Sequence, residues 1–205
     1  MSDILHHDIL RKLNTEMGLV VEEARRGLVQ VKGSREGSGA GTIWHADGLV
    51  ITNAHVVRSQ SPRVVLPDGT ELPARLLASD TDRDVAALLV EASGLPTIQL
   101  GDSRSLRPGQ WVLSLGHPWG VAGAATSGVV IGSGADLPEL PRPGQEWVAV
   151  SLHLRPGHSG GPLVDHQGRL VGINTMMLGL EVGLAVPVHV VREFLRRELR
   201  VPAAA

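Results

Sequence analysis

Cysteine and tyrosine are absent from the 205 residues, and phenylalanine occurs once. The missing thiols exclude a disulfide framework, a thiolate zinc site and a cysteine nucleophile, so any nucleophile here is an oxygen or an amine. Aromatic residues make up only 2% of the chain, so its cores must be filled by Val, Leu, Ile and Ala, with Trp44, Trp111, Trp119 and Trp147 as the expected large anchors. A surplus of positive charge is also missing. The formal net charge is −2, and basic runs such as Arg196-Arg197 stay short, which argues against nucleic acid as a partner. No stretch approaches the roughly 18 apolar residues of a membrane span. Met1 to Asp8 carry acid and histidine where a secretory leader places a basic and then an apolar region, so no signal peptide is read. If the chain is complete, a cytoplasmic location is expected. Oligomeric state cannot be read from this pattern.

What is present is a globular composition, 42% hydrophobic and 20% charged, with 25 glycines and 13 prolines to make turns frequent. Leu10, Leu13, Met17, Val20, Val21, Ala24 and Leu28 recur at three- and four-residue steps, which predicts an amphipathic packing helix ending near Gly27. From Leu28 to Val186 the pattern changes to about twelve short β-branched runs, separated by turn signals such as Asp47-Gly48, Pro67-Asp68-Gly69 and Gln167-Gly168. Strand character lapses around Ser93–Pro96 and again at Gly101–Gly109. The expected organisation is therefore an N-terminal helix over 1–27, a first β unit over 28–100, a second over 101–187, and a C-terminal helix and tail over 188–205. Long helices alternating with strands are missing, which disfavours a doubly wound sheet. The all-β units read as small barrels or sandwiches.

Three segments carry candidate chemistry. Arg155-Pro-Gly-His-Ser-Gly-Gly-Pro-Leu-Val164 sets one hydroxyl, Ser159, among glycines that let a loop turn its N–H groups inward beside the serine oxygen. The N–H groups of Gly157 and Ser159 can then hold an oxyanion formed by attack on a carbonyl. A serine needs a base, and Gly48-Leu-Val-Ile-Thr-Asn-Ala-His-Val-Val57 presents His55 immediately after an apolar strand. The imidazole in turn needs an orienting carboxylate, and Asp80, Asp82 and Asp84 are available. Asp84 directly precedes the apolar run Val85–Val90 and is the best of the three, whereas Asp80 and Asp82 read as solvated turn residues. Nine histidines invite a metal reading, but no His-Glu-x-x-His helix or compact ligand cluster occurs, and none is expected to hold a metal.

Together these segments resemble the chymotrypsin-like serine proteases, most closely the HtrA/Deg branch. The order His55, Asp84, Ser159 is that family's order. Thr52-Asn-Ala-His-Val-Val57, Asp84-Val-Ala-Ala-Leu-Leu89 and Gly157-His-Ser-Gly-Gly-Pro-Leu-Val164 match its three motifs. Gly116-His-Pro-Trp-Gly120, Thr126-Ser-Gly128, Gly168-Arg-Leu-Val-Gly-Ile-Asn-Thr175 and Gly183-Leu-Ala-Val-Pro187 extend the likeness from about Met17 to Leu195. The resemblance implies two six-stranded antiparallel β-barrels with the catalytic groups between them. It also implies a cofactor-independent endopeptidase with a His55-Asp84-Ser159 triad and an oxyanion loop of Gly157, His158 and Ser159, acting on unfolded or exposed polypeptide. By family position the primary pocket is lined by His153, Leu154, Thr175, Met176 and Met177. An apolar pocket without a buried carboxylate predicts cleavage after small or medium aliphatic residues. The competing reading is a catalytically silent module of the same fold that holds peptides.

Three departures from the family pattern bear on this. His158 stands where HtrA relatives usually carry asparagine, and an imidazole there either hydrogen-bonds the loop backbone or distorts the oxyanion loop. The chain stops at Ala205, where relatives normally continue into PDZ domains, so regulation by such a domain in the same chain is not expected. The N-terminal aromatic residues of several trimeric relatives are missing, so their assembly is not carried over.

Overall fold

The computed structural model describes the chain except for residues 1, 34–37, 58–60, 138–140, 142, 143, 180 and 200–205, and except for the side chains of residues 2–7. Strands β1 (Leu28–Lys32), β2 (Ser38–His45), β3 (Leu49–Thr52), β4 (Arg63–Val65), β5 (Glu71–Asp80) and β6 (Val85–Val90) close into an antiparallel barrel in the order β1-β2-β3-β6-β5-β4. Strands β7 (Trp111–Gly116), β8 (Ala124–Gly134), β9 (Trp147–Val150), β10 (Pro162–Asp165), β11 (Leu170–Leu178) and β12 (Val182–Pro187) close a second in the order β10-β11-β12-β9-β8-β7. Helices α1 (Ser2–Arg26) and α2 (Val188–Leu199) flank them. This is the all-β, two-barrel architecture that the resemblance implied.

Each barrel has its own aliphatic filling. Val29, Val31, Ile43, Val50, Val64, Leu88 and Val90 fill the first. Val112, Val130, Val148, Val150, Leu163 and Ala185 fill the second. A further cluster joins them, with Ala40, Ile51, Val85 and Ala87 of the first barrel packed in one core with Leu115, Val164, Ile173 and Leu184 of the second. Helix α2 adds Val191, Phe194 and Leu195 to that cluster, so the C-terminal helix seals the barrel junction. Closure leaves no free sheet edge, and the shared core fixes the two walls of the crevice above it.

Several strands run past their apolar stretches. β5 begins at Glu71, β8 at Ala124, and β11 continues to Leu178, because ladder hydrogen bonds persist where side chains are already half exposed. Among the four tryptophans only Trp147 is a fully buried anchor, whereas Trp111 and Trp119 are 50% and 75% exposed. Trp111 opens a strand, and Trp119 sits on a tight turn over Pro118–Gly120 with φ +54°. The N-terminal stripe also divides. Ala24 is buried and Met17, Val20 and Val21 pack on the core, but Leu10 and Leu13 are exposed, because only the C-terminal turns of α1 meet the barrels.

Candidate active site

His55 lies in the turn that follows β3, where Val56 N–H returns to Asn53 O at 3.2 Å. The apolar strand Leu49–Thr52 is buried throughout, so it fixes the start of that turn. Asp84 occupies the residue before β6 with φ +54°, a left-handed conformation uncommon for a side chain with a Cβ. Its neighbours hold it there. Asn53 Nδ2 donates to Asp84 O at 2.9 Å, and the buried strand Val85–Val90 fixes the chain beyond it.

The two side chains meet. His55 Nδ1 donates to Asp84 Oδ2 at 2.8 Å, and the His55 backbone N–H donates to Asp84 Oδ1 at 3.0 Å. Thr175 Oγ1 donates a short hydrogen bond to the same Oδ2. The Asp84 side chain is 5% exposed and that of His55 36%, so the carboxylate is shielded while the imidazole reaches the crevice. Burial opposes ionisation of Asp84, but the hydrogen bonds from His55 and Thr175 outweigh it and hold the carboxyl below the usual aspartate range. With Nδ1 committed to a carboxylate that can only accept, Nε2 is the ring atom left to take a proton.

Ser159 arrives from the opposite barrel on the loop before β10. Ala40 N–H donates to Ser159 O at 2.7 Å, and Thr42 Oγ1 donates to Gly160 O at 3.2 Å, so β2 of the first barrel clamps the serine backbone of the second. Gly160 is indispensable to this docking. It has φ +87°, and a Cβ there would lie 2.0 Å from Ala40 O and 2.2 Å from Thr52 Oγ1. The Ser159 hydroxyl itself donates to Thr175 O at 2.7 Å.

The loop expected to hold an oxyanion is the turn Arg155–His158. Gly157 has φ +105°, and its carbonyl accepts the His117 N–H at 2.8 Å, which turns that oxygen away toward β7. The His158 N–H is spent on Arg155 O at 2.9 Å. Among the described residues the N–H groups of Gly157 and Ser159 have no recorded acceptor, so they are the donors available to a ligand oxygen. The His158 ring turns inward and is buried, with Nδ1 3.1 Å from Arg155 N and 3.2 Å from Arg155 O. The imidazole thus bonds the loop backbone.

A cleft of about 390 Å³ joins these groups, lined by His55 and Ser159 together with Leu154, Thr175, Met176 and Met177. Leu154 N–H donates to Met177 Sδ at 3.1 Å, which ties the two walls of its apolar end. His153 does not belong to this wall. It is exposed between buried Leu152 and Leu154, as the alternation of an extended segment requires. Sequence reasoning missed Ser38, Gly39 and Val56, which close the cleft from the first barrel, and the Thr175–Asp84 bond, for which no local pattern gives a signal. Asp80 also differs from expectation. It is not a solvated turn residue but pairs with Arg83 at 3.0 Å and with Arg197 of α2 at 2.7 Å, with its side chain 10% exposed. Asp82 is exposed as expected.

Comparison with known proteins agrees with this fold. Residues 39–173 match the family model described as the trypsin-like peptidase domain. A protein named "Probable periplasmic serine endoprotease DegP-like" from Halomonas elongata is 40% identical over 165 residues, covering 76% of this chain and 34% of its own length. Mitochondrial serine protease HTRA2 of Drosophila pseudoobscura pseudoobscura is 34% identical over 165 residues, 78% of this chain and 39% of that one. Among solved structures, the HtrA-type protease AlgW with decapeptide superposes with a TM-score of 0.79 at 27% identity, covering 88% of this chain and 66% of that one. The serine endoprotease from Yersinia pestis gives a TM-score of 0.79 at the same 27% identity, over 88% of this chain and 65% of that chain. The chain thus spans little more than a third of the length of the curated relatives it matches.

Proposed function

The chain belongs to the trypsin-like peptidase family, and on that footing we propose that it is a serine endopeptidase of the HtrA/DegP type, working through His55, Asp84 and Ser159. One observation carries the reading: His55, held to Asp84 at 2.8 Å, and Ser159 line the same cleft although they come from different barrels. Asp84 orients the imidazole and stabilises its cation. His55 Nε2 then accepts the Ser159 proton as Oγ attacks the scissile carbonyl, and returns it to the leaving amine. The Gly157 and Ser159 N–H groups receive the oxyanion. Water, deprotonated by the same imidazole, hydrolyses the acyl-enzyme.

Ser159 must first leave the Thr175 carbonyl, to which its hydroxyl donates. That carbonyl stands where the β11–β12 register skips between Asn174 and Met176, so the ladder leaves it facing the cleft. An extended substrate that places an N–H on this oxygen displaces the hydroxyl and frees it to turn toward His55. Main-chain pairing of this kind favours exposed or unfolded polypeptide. Leu154, Met176 and Met177 supply an apolar, adaptable pocket, and among the described residues the cleft lining contains no Asp or Glu to attract a basic side chain, which supports a preference for aliphatic residues.

The test is labelling by a fluorophosphonate, together with cleavage of unfolded casein. The wild-type chain is labelled and cleaves, and Ser159→Ala does neither. The Ser159–Thr175 contact gives the silent peptide-holding module its one point of support, and an unlabelled wild-type protein that still retains unfolded peptides would establish that reading instead.

A further inference from the structure

Two imidazoles, His158 buried and His117 half-buried, stand behind the oxyanion loop, and the peptidase chemistry uses neither. His158 lies in the loop, and His117 follows β7, the strand against which the loop packs. The contact is close. A Cβ on Gly116 would lie 2.6 Å from both Gly157 O and His158 Cα, and one on Gly157 would lie 2.5 Å from His117 O. Each ring uses Nδ1 as an acceptor, His117 from Gly123 N–H at 3.3 Å and His158 from Arg155 N–H at 3.1 Å. In this arrangement each ring carries its proton on Nε2; among the described residues neither buried Nε2 makes a well-formed hydrogen bond, although the Val29 carbonyl draws on the His117 ring. His158 Nδ1 is placed between alternatives, since Arg155 O lies at 3.2 Å and Arg155 N at 3.1 Å. Unprotonated, it accepts the Arg155 N–H. Protonated, it must donate to Arg155 O, and two donors then face each other at the amide.

We propose that His158, backed by His117, is a positioning residue for the oxyanion loop that works only with Nδ1 unprotonated, so that proton uptake at this pair shifts the Arg155 peptide and withdraws the Gly157 N–H from the cleft. The proposal rests on the peptidase reading of the cleft. Cationic groups oppose added charge on both rings. Arg155 faces His158 from its own loop, while Arg25 of α1 and His158 face His117. Glu22 and Glu23 of α1 line the cavity that His117 also borders, and Arg25 is paired with Glu22 at 3.0 Å. Burial, the largest influence, lowers the proton affinity of both rings, and this exceeds the opposite pull of the Arg155 backbone on His158 and of the Val29 carbonyl on His117. The pair is neutral near pH 7 and takes up a proton only on acidification.

Trp119 supplies a reporter, because the Arg155 guanidinium lies 4.9 Å from its ring centroid. The experiment follows the full chain from pH 8 to pH 4.5 by the rate of fluorophosphonate labelling, normalised to each protein's own rate at pH 8, and by the fluorescence difference between wild type and Trp119→Phe. One inhibitory proton taken up by the general base alone reduces labelling ~10-fold per pH unit on acidification, and a second inhibitory proton makes the limiting fall ~100-fold. The steeper fall and a Trp119 transition below pH 6.5 are expected in the wild type, the latter retained in His55→Ala. His158→Asn, whose side-chain carbonyl accepts from Arg155 N–H at any pH, should give the shallow fall and no Trp119 transition. A shallow wild-type profile, or a Trp119 transition unchanged in His158→Asn, overturns the proposal. If His158→Asn does not fold, the wild-type slope and the His55→Ala fluorescence decide it. A wild-type chain that is unlabelled at pH 8 overturns the peptidase reading itself, whatever Trp119 reports.

Discussion

The Thr175 carbonyl accepts the Ser159 hydroxyl at 2.7 Å while the Thr175 hydroxyl donates to Asp84, so one residue holds the serine hydroxyl with its backbone and the carboxylate with its side chain. Thr175→Val keeps the shape and the carbonyl but deletes the donor to a buried carboxylate. Turnover should fall ~10-fold with KM little changed, because the lost bond orients Asp84 and not the substrate. Steady-state kinetics on a peptide substrate check this, and unchanged kcat would deny Thr175 a part in orienting the pair.

Removing the proposed triad groups should cost far more. Ser159→Ala and His55→Ala are each expected to reduce kcat by ~10³-fold or beyond, and the double variant should be scarcely worse than either, because groups that act as a unit are not additive. Asp84→Asn should fall in a similar range, since an amide can donate to Nδ1 and so favours the wrong tautomer. Additive losses in the double variant would argue against a shared mechanism.

Cleavage-site profiling of an unfolded protein should return aliphatic residues at the cleaved position. Met177→Glu would place a carboxylate beside Leu154 and is expected to move the preference toward Lys and Arg. A wild-type profile dominated by basic residues contradicts the apolar pocket.

Acid should destabilise this protein in two stages. His117 and His158 bind protons less readily folded than unfolded, so the unfolded chain holds more protons as pH falls below the ordinary histidine value of 6.5. Their contribution is complete above that pH and declines beneath it. Asp84 and Asp80, held below their ordinary value of 3.8, contribute above that value and lose their contribution as pH falls through their lowered ones. Urea midpoints should therefore drop between pH 7.5 and 5.5, less so in His117→Asn/His158→Asn, and drop again below pH 4. Midpoints that are level from 7.5 to 5.5 would contradict the first stage.

Gly160→Ala forces a methyl into the Ala40 carbonyl and the Thr52 hydroxyl at a backbone angle that suits glycine. A loss of ~2 kcal/mol or more is expected, with activity impaired even where the protein stays folded, because the clash lies between the Ser159 loop and β2. Chemical denaturation measures it.

Much of this molecule is decided locally. Alternation of Val, Leu, Ile and Ala with turn residues is enough to give about twelve strands in two groups, since a β-branched run bounded by Gly, Pro and Asp has few other ways to bury itself. The motif order His55, Asp84, Ser159 likewise names candidate chemistry before any coordinates exist, because glycines beside a serine and an aspartate before an apolar strand are local arrangements. Relations across the barrel junction are not local. No pattern within reach of Thr175 foretells its bond to Asp84, 91 residues away, nor does His117 announce that it will back the loop of His158. Whether Leu10 packs or His153 enters the pocket depends on which neighbour the fold brings alongside. Burial and hydrogen bonding between distant strands belong to the closed barrels, and only that closure decides which polar groups face each other out of water.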